Sequence, residues 1–192
     1  MYRIFRVLDS GYALIDESGV ILYWSGYSLR TDNSFSNINI DNYDEIENTN
    51  YAFSVLSDGS VTSFGSSSAG GLYNSPHTQG ELYGENGDLT IIDIASVSTA
   101  FYAIRSDGTV TQWGSINYSY DDVNELITSN SDTATQLHSL GNKIYIQSEN
   151  GYVYYWEING SVVKEEFDSE WLTNKLAESN YAYIDEDGPH MR

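Results

Sequence analysis

The sequence predicts an all-β fold built from repeated β-hairpins, and three observations favour it. The first is the segment 101–114 (FYAIRSDGTVTQWG), in which an apolar run is followed by Asp107-Gly108 and then by a return strand. An Asp-Gly pair tolerates the positive φ that a tight hairpin turn requires. The second is that this segment has near copies along the chain, and the third is a composition rich in Tyr, Ile, Val, Thr, Ser and Gly. One hairpin is barely stable alone in water, so we expect the copies to pack together.

Turn glycines mark five copies of the hairpin and recur at intervals of 40, 49, 43 and 37 residues: Gly19, Gly59, Gly108, Gly151 and Gly188. An aromatic residue stands five positions after each of the first four glycines, namely Trp24, Phe64, Trp113 and Trp156. A period of this length is typical of repeat architectures, and hairpin units indicate a β-propeller or a β-solenoid. The fixed offset predicts that the four aromatic residues are structurally equivalent and buried. Val110 and Trp113 do not alternate strictly, which predicts a twist or bulge in their strand.

The repeats divide a single domain of 192 residues into approximately 1–42, 43–88, 89–135, 136–178 and a partial repeat at 179–192. The partial repeat stops after Gly188, where Pro189 replaces the β-branched residue expected in the return strand. Pairing of residues 181–188 with the strands of residues 1–24 would hide both sheet edges and close a ring. The alternative is an open array whose edges pair with another subunit or another protein.

Two segments between hairpins predict short helices. In residues 121–127 one face carries Val123, Leu126 and Ile127, and the expected cap is Asp121 or Asp122. In residues 166–178 we expect three side chains to point inward, namely Phe167, Trp171 and Leu172.

The chain is strongly acidic, with 8 Lys and Arg against 28 Asp and Glu and a formal net charge of −20. Such a charge repels phosphate backbones and anionic membrane surfaces, so we expect neither a nucleic-acid partner nor membrane binding. Three roles for the acidity remain: solubility or adaptation to a salty medium, steering towards a basic partner, and cation binding. The scattered positions of the carboxylates favour solubility.

Residue patterns for catalysis are sparse. Cysteine is absent, and none of the three histidines, His77, His138 and His190, lies in a nucleophile motif. No glycine-rich phosphate loop and no metal-ligand cluster occurs, and residues 185–188 resemble the start of a calcium loop but are more simply a turn. We therefore expect no enzyme activity, no cofactor and no metal.

The N-terminus already belongs to the first repeat, and no stretch of the sequence has the length of a membrane span. We therefore expect no signal peptide and no transmembrane segment. The localisation stays open, between the cytoplasm and a virion.

Tyrosine is the strongest signal for binding, with 17 in the chain. Four tyrosines fall in loops among Ser, Asn and Gly, a composition typical of recognition surfaces: Tyr73, Tyr83, Tyr118 and Tyr120. The segment 66–88 is the longest predicted loop and also contains His77. We expect this loop to form the principal partner surface, through Tyr73, His77 and Tyr83. The alternative is that the loop tyrosines cover the edges of their own sheets.

Two segments carry a resemblance to a known family. Residues 57–71 (SDGSVTSFGSSSAGG) and 105–115 (RSDGTVTQWGS) resemble repeats of the regulator-of-chromosome-condensation (RCC) type. The resemblance implies a β-propeller whose blades are four-stranded antiparallel sheets. The family usually has seven blades, whereas this chain has four repeats and a part, and residues 69–72 are the nearest approach to the family's GQLG signature. The residues by which eukaryotic members catalyse nucleotide exchange are not located here, so that activity is not carried over.

These observations together predict a non-enzymatic protein-binding or structural module, whose partner is a protein, basic or a further subunit of an assembly. A viral or cell-surface assembly component fits this description. The alternative is a carbohydrate-binding module in which tyrosines stack on sugar rings.

We predict that the protein binds neither DNA nor RNA, because its charge opposes the polyanion. A gel shift with duplex and single-stranded probes near neutral pH should show free probe only. Retention that weakens with added salt would contradict the prediction.

Overall fold

The computed structural model describes residues 3–7, 11–15, 21–25, 28–32, 44–49, 52–71, 82–84, 87–115, 119–140, 142–157, 160–179, 181–185 and 188–191. These residues form sixteen strands in five antiparallel sheets, which confirms the all-β prediction. The strands are β1 (Arg3–Val7), β2 (Gly11–Ile15), β3 (Ile21–Ser25), β4 (Ser28–Asp32), β5 (Glu45–Asn48), β6 (Ala52–Ser57), β7 (Ser60–Gly65), β8 (Ile91–Val97), β9 (Ala100–Arg105), β10 (Val110–Gly114), β11 (Ala134–Leu140), β12 (Lys143–Ser148), β13 (Tyr152–Trp156), β14 (Val162–Glu166), β15 (Tyr181–Asp185) and β16 (Gly188–Met191). A 3-10 turn spans Ser67–Ala69, and two helices are α1 (Tyr120–Ser129) and α2 (Ser169–Ser179).

Each sheet is a meander in which consecutive strands are neighbours. The first sheet (β1–β4) and the fourth sheet (β11–β14) have four strands, the second (β5–β7) and third (β8–β10) have three, and the fifth (β15–β16) has two. Among the described turns, those between β6 and β7, β9 and β10, and β12 and β13 lie at the expected dipeptides. At the β6–β7 turn both Asp58 (φ 51°) and Gly59 (φ 71°) have positive φ, as a tight two-residue turn requires.

The pairing of the fifth sheet differs from expectation. Among the described strands, β15 pairs with β16 and not with any strand of residues 1–24, so the predicted strand exchange is not made. Residues 188–191 form the return strand despite Pro189. Proline is tolerated on an edge strand, where its missing N–H faces away from the ladder.

The prediction of a twist or bulge in β10 is also wrong. The β9–β10 register is unbroken, and the bulges instead interrupt β8 between Ile91 and Asp93 and β11 between Ala134 and Gln136. Residues 110–113 are all buried, so β10 has apolar surroundings on both faces and does not need an alternating pattern.

The hairpin turns also join consecutive sheets. The carbonyl of Gly59 accepts the N–H of Ile91 (2.9 Å), and that of Gly108 accepts the N–H of Ala134 (3.2 Å). In the fourth sheet the carbonyl of Gly151 accepts the N–H of Phe167 (2.9 Å). The first strands β5, β8 and β11 consequently pack side by side, with β8 in the middle.

The core lies between the sheets. One cluster fills the space between the second and third sheets and includes Leu56, Leu82, Ile94, Phe101 and Trp113. Another fills the space between the third and fourth sheets and includes Tyr102, Ile104, Val123, Tyr154 and Trp156.

Two of the four equivalent aromatic residues are confirmed as buried. Trp113 (3% exposed) and Trp156 (6% exposed) each pack towards the preceding sheet. Trp113 stacks on Phe101 with ring centroids 5.2 Å apart. The side chains of Trp24 and Phe64 lie outside the described residues.

Both predicted helices are present. In α1, Val123 and Ile127 are buried and Leu126 packs against the same cluster. The cap is Ser119 rather than Asp121 or Asp122, because the Ser119 hydroxyl accepts the Asp121 N–H (3.1 Å) and the helix begins one residue earlier than predicted.

In the second helix Trp171 is buried, and Phe167, which precedes the helix, is half-buried. The Asp168 carboxylate accepts the Trp171 N–H (2.8 Å) at the helix start. The side chain of Leu172 lies outside the described residues.

We predict that Gly108→Ala destabilises the protein more than Gly151→Ala. Both glycines have positive φ (79° and 80°), so each substitution carries a backbone cost of about 1–2 kcal/mol. A Cβ at Gly108 would also collide with the Thr133 side chain, whereas a Cβ at Gly151 meets nothing within 4 Å. The collision should add about 1–3 kcal/mol in urea unfolding. Equal free energies of unfolding for the two variants would show that the close approach to Thr133 is not needed.

Candidate functional site

Two of the five predicted binding residues lie in the described part of the chain. Tyr83 is half-buried against the core cluster between the second and third sheets, and burial raises the pKa of its hydroxyl. Tyr120 is half-buried as the first residue of α1. Tyr73, His77 and Tyr118 lie outside the described residues, as does most of the predicted partner loop.

Tyr83 covers the edge of the second sheet. Its hydroxyl accepts the Val61 N–H (2.8 Å) and lies 3.5 Å from the Val61 carbonyl, to which it can donate. In the third sheet Asn124 of α1 contacts the equivalent residue: its Oδ1 accepts the Val110 N–H (2.8 Å) and its Nδ2 donates to the Val110 carbonyl (2.8 Å). In the first and fourth sheets a fourth strand occupies this place. The Tyr83 hydroxyl is thus engaged within the chain and its ring packs against the core, which agrees with the alternative that loop tyrosines cover the edges of their own sheets.

A small cavity, here called the turn pocket, opens between the third and fourth sheets and has a volume of about 60 Å³. The Tyr102 and Trp156 rings flank it with centroids 5.7 Å apart. The Ser98 N–H donates to Asn142 Oδ1 (3.1 Å) and so joins the β8–β9 turn to the β11–β12 turn. The lining residues are Val97, Ser98, Thr99, Ala100, Tyr102, Ser115, Asn142, Lys143, Ile144 and Trp156, among which there is no carboxylate.

A second, wider cavity, here called the rim groove, lies between α1 and the loop that precedes β14. Its volume is about 380 Å³. The lining residues are Asp122, Glu125, Leu126, Ser129, Gly160, Ser161 and Val162.

Described residues on either side of residues 116–118 lie near the cavities. Ser115 lines the turn pocket at one end of this segment. At the other end Trp156, which also lines the turn pocket, donates its Nε1–H to the Ser119 carbonyl (3.3 Å). The helix that starts at Tyr120 then contributes Asp122 to the rim groove. Tyr120 therefore begins the helix that lines the rim groove, whereas Tyr118 lies outside the described residues.

Carboxylates cluster where the first strands of the sheets meet, a feature that the sequence did not reveal. Glu45 accepts the Ile94 N–H (3.1 Å), and Glu47 accepts the Ser96 hydroxyl (2.6 Å). Asp93 accepts the Leu137 N–H of the next sheet. Each acidic side chain thus binds a donor on the sheet that follows.

Burial and mutual proximity perturb these carboxyl groups. Burial, together with the negative charge of Asp93, raises the pKa of Glu45 to about 8. Burial also raises the pKa of Glu47 and of Asp93, and Glu45 and Asp93 share a hydrogen bond. This hydrogen bond requires a proton on one of the two carboxyl groups, because two ionised carboxylates offer acceptors but no donor.

Asp132 is placed differently. Its burial alone would raise its pKa, but hydrogen bonds from Ser148, the Thr133 N–H and Tyr154 outweigh burial and lower the pKa. This carboxylate holds the start of β11 to the β12–β13 turn, since it also accepts the Asn150 N–H (3.2 Å).

Neither a metal centre nor a membrane-spanning helix is found in the described ranges. No group of three His, Cys, Asp or Glu side chains there is arranged to hold a metal ion. No helix there has the length and apolar character to cross a bilayer. His138, the one histidine with a described side chain, lies 2.9 Å from Gln147 Oε1 and stacks on Phe167.

Comparison with known proteins finds similarity at the level of the fold. No protein-family model matches the sequence, and no curated protein matches it. The chain resembles the crystal structure of human WBSCR16, an RCC1-like protein, with a TM-score of 0.51 and 10% sequence identity. The match covers 82% of this chain and 48% of that one, so the chain spans about half the length of its neighbour.

We predict that the free energy of unfolding falls as the pH rises from 4.5 to about 8, over the interval between the ordinary and the raised pKa of Glu45. The folded state holds a proton that the unfolded state releases in this range, so deprotonation favours unfolding. Glu45→Gln should flatten this part of the profile in urea titrations, because an amide keeps the donor at every pH. Glu166→Gln, at an exposed position, is the control and should keep the wild-type slope. A slope unchanged in Glu45→Gln would refute the assignment.

Proposed function

We propose that this chain is a non-enzymatic protein-binding module of the RCC-type β-propeller class. Three findings support the proposal: the repeated hairpins, the meander sheets joined through their turns, and the similarity in fold to an RCC1-like structure. The first strands β5, β8 and β11 lie side by side, as the inner strands of propeller blades do. The similarity bears on the fold alone, so the binding role rests on the cavities.

The observation that carries the binding role is the pair of cavities, the turn pocket beside Tyr102 and Trp156 and the rim groove beside α1. Concave sites with an aromatic wall and a few polar groups are typical of binding surfaces. Tyr120 begins the helix that lines the rim groove, and tyrosine provides a large contact area at a low cost in conformational entropy. Tyr118 stays a prediction from the sequence.

A protein partner fits the turn pocket better than a carbohydrate does. Sugar rings stack on exposed aromatic faces, but Tyr102 and Trp156 at the turn pocket are each only 6% exposed. The turn pocket, at about 60 Å³, has room for the end of one side chain rather than for a sugar ring. The formal charge of −20 favours a basic partner, which it would attract over a distance.

We expect that peptides can be selected from a random displayed library with the immobilised protein and that Ser115→Arg abolishes their capture. Ser115 is exposed at the turn pocket, so a long side chain there blocks the site without entering the core. Asn174→Arg, on the exposed face of α2, is the control with the same charge and size and should retain capture.

A third variant tests the predicted partner loop, with residues 72–81 replaced by a short Gly-Ser link so that Leu82 and Tyr83 keep their places in the core and at the sheet edge. Loss of capture in a folded shortened variant would assign the partner surface to the loop. No enrichment of any peptide, or equal loss in Ser115→Arg and Asn174→Arg, would overturn the proposed site.

A further inference from the structure

The rim groove has a chemistry that the other cavity lacks. Asp122, Glu125 and Ser129 are three and four residues apart along α1, so their side chains lie on one face of the helix. Opposite them are Gly160 and Ser161 of the loop before β14 and Val162, the first residue of that strand. The volume of about 380 Å³ is large enough for a long side chain with part of its backbone.

The two carboxylates of the groove are not neutralised within the described part of the chain. Neither Asp122 nor Glu125 forms a hydrogen bond or an ion pair with a described residue. Lys164 of the adjoining strand is engaged elsewhere, because its Nζ donates to Asn130 Oδ1 (2.8 Å) and lies 3.6 Å from the centre of the Tyr152 ring. By contrast, Asp93 and Asp132 accept hydrogen bonds inside the fold.

The floor of the groove is apolar. Leu126 and Val162 are half-buried and pack against the edge of the core cluster between the third and fourth sheets. Long basic side chains bury their aliphatic stems on such surfaces while the charged end stays near water or a carboxylate. An apolar floor below two carboxylates therefore matches one side chain that is aliphatic along its length and cationic at its end.

We propose that the rim groove binds an arginine-bearing segment of a protein partner. The guanidinium lies between Asp122 and Glu125, and the aliphatic stem lies against Leu126 and Val162. A guanidinium is planar and offers five donors, so it can bond two carboxylates at once, which an ammonium does less well. The net charge of −20 brings a basic segment to the surface, and the groove gives it a defined place. This inference rests on the proposed protein-binding function and specifies the partner's chemistry.

The test uses the full chain, labelled with ¹⁵N, and a peptide with one central arginine between leucine and serine residues. Titration should shift the amide resonances of Ser129, Gly160 and Ser161, which line the groove. The same peptide with citrulline, a neutral analogue of the same shape, should bind about tenfold more weakly, and the lysine peptide should fall between the two.

Asp122→Asn and Asp121→Asn form a matched pair, because both aspartates are exposed in the first turn of α1 and only Asp122 lines the groove. Asp122→Asn should weaken binding of the arginine peptide about tenfold, and Asp121→Asn less than about twofold. If the two variants unfold at the same temperature, a difference between them in peptide binding does not come from a change in helix stability.

The inference is overturned if the citrulline peptide binds as well as the arginine peptide, if Asp121→Asn and Asp122→Asn weaken binding equally, or if the shifts fall outside the groove. Each of these results would contradict the arginine site without contradicting the proposed protein-binding function. Peptides without arginine that are captured in the library selection, and that Asp122→Asn does not affect, would leave the protein-binding function standing and remove the groove from it.

Discussion

The bond from a hairpin turn to the next sheet is the constraint on which the described fold depends. The carbonyls of Gly59 and Gly108 accept the first N–H groups of β8 and β11, so the distance between sheets is set by backbone atoms. The close approach also explains the residue type at the turn. A Cβ at Gly59 would lie 2.9 Å from Thr90 Cβ, and a Cβ at Gly108 would meet Thr133. Glycine is thus required at each of these two turns for two reasons: the backbone has a positive φ, and the neighbouring sheet leaves no room for a side chain.

A second set of hydrogen bonds joins the same sheets along their first strands, and its acceptors are side-chain carboxyl groups rather than backbone carbonyls. Glu45 and Asp93 each present a carboxyl group to a backbone N–H of the following sheet. Backbone donors are thereby satisfied, but carboxyl groups become buried beside one another, which disfavours their charged forms. The turns therefore join the sheets in a way that is independent of pH, and the inner strands join them in a way that depends on protonation.

Local chemistry accounts for the parts of the fold that the sequence predicted. The Asp58-Gly59 and Asp107-Gly108 turns and the two helices depend on neighbouring residues, so turn dipeptides and helical periodicity suffice to locate them. The cap of α1 could have been predicted, because Ser119 and Asp122 fit the Ser-x-x-Asp pattern that precedes helices.

The candidate site was harder to predict, because it is assembled from separate repeats. Asn142 meets Ser98 across two turns, and Val162 meets α1 across a groove. Serine and asparagine are common in turns of every kind, so their pattern does not indicate a cavity. Tyr120 was found through composition alone, and composition does not distinguish a tyrosine at a site from one such as Tyr83 that also completes a sheet edge.

The side chains that cover the sheet edges have a consequence for how the repeats can diverge. In the second and third sheets one residue, Tyr83 or Asn124, supplies both a donor and an acceptor to the valine at the open edge. A fourth strand would require a run of residues in fixed register. A single polar side chain requires only that its hydroxyl or amide group reach the backbone of the edge valine. An insertion between such points can therefore leave the edge of the sheet covered. The repeat whose edge Tyr83 covers is followed by the longest interval between turn glycines, at 49 residues.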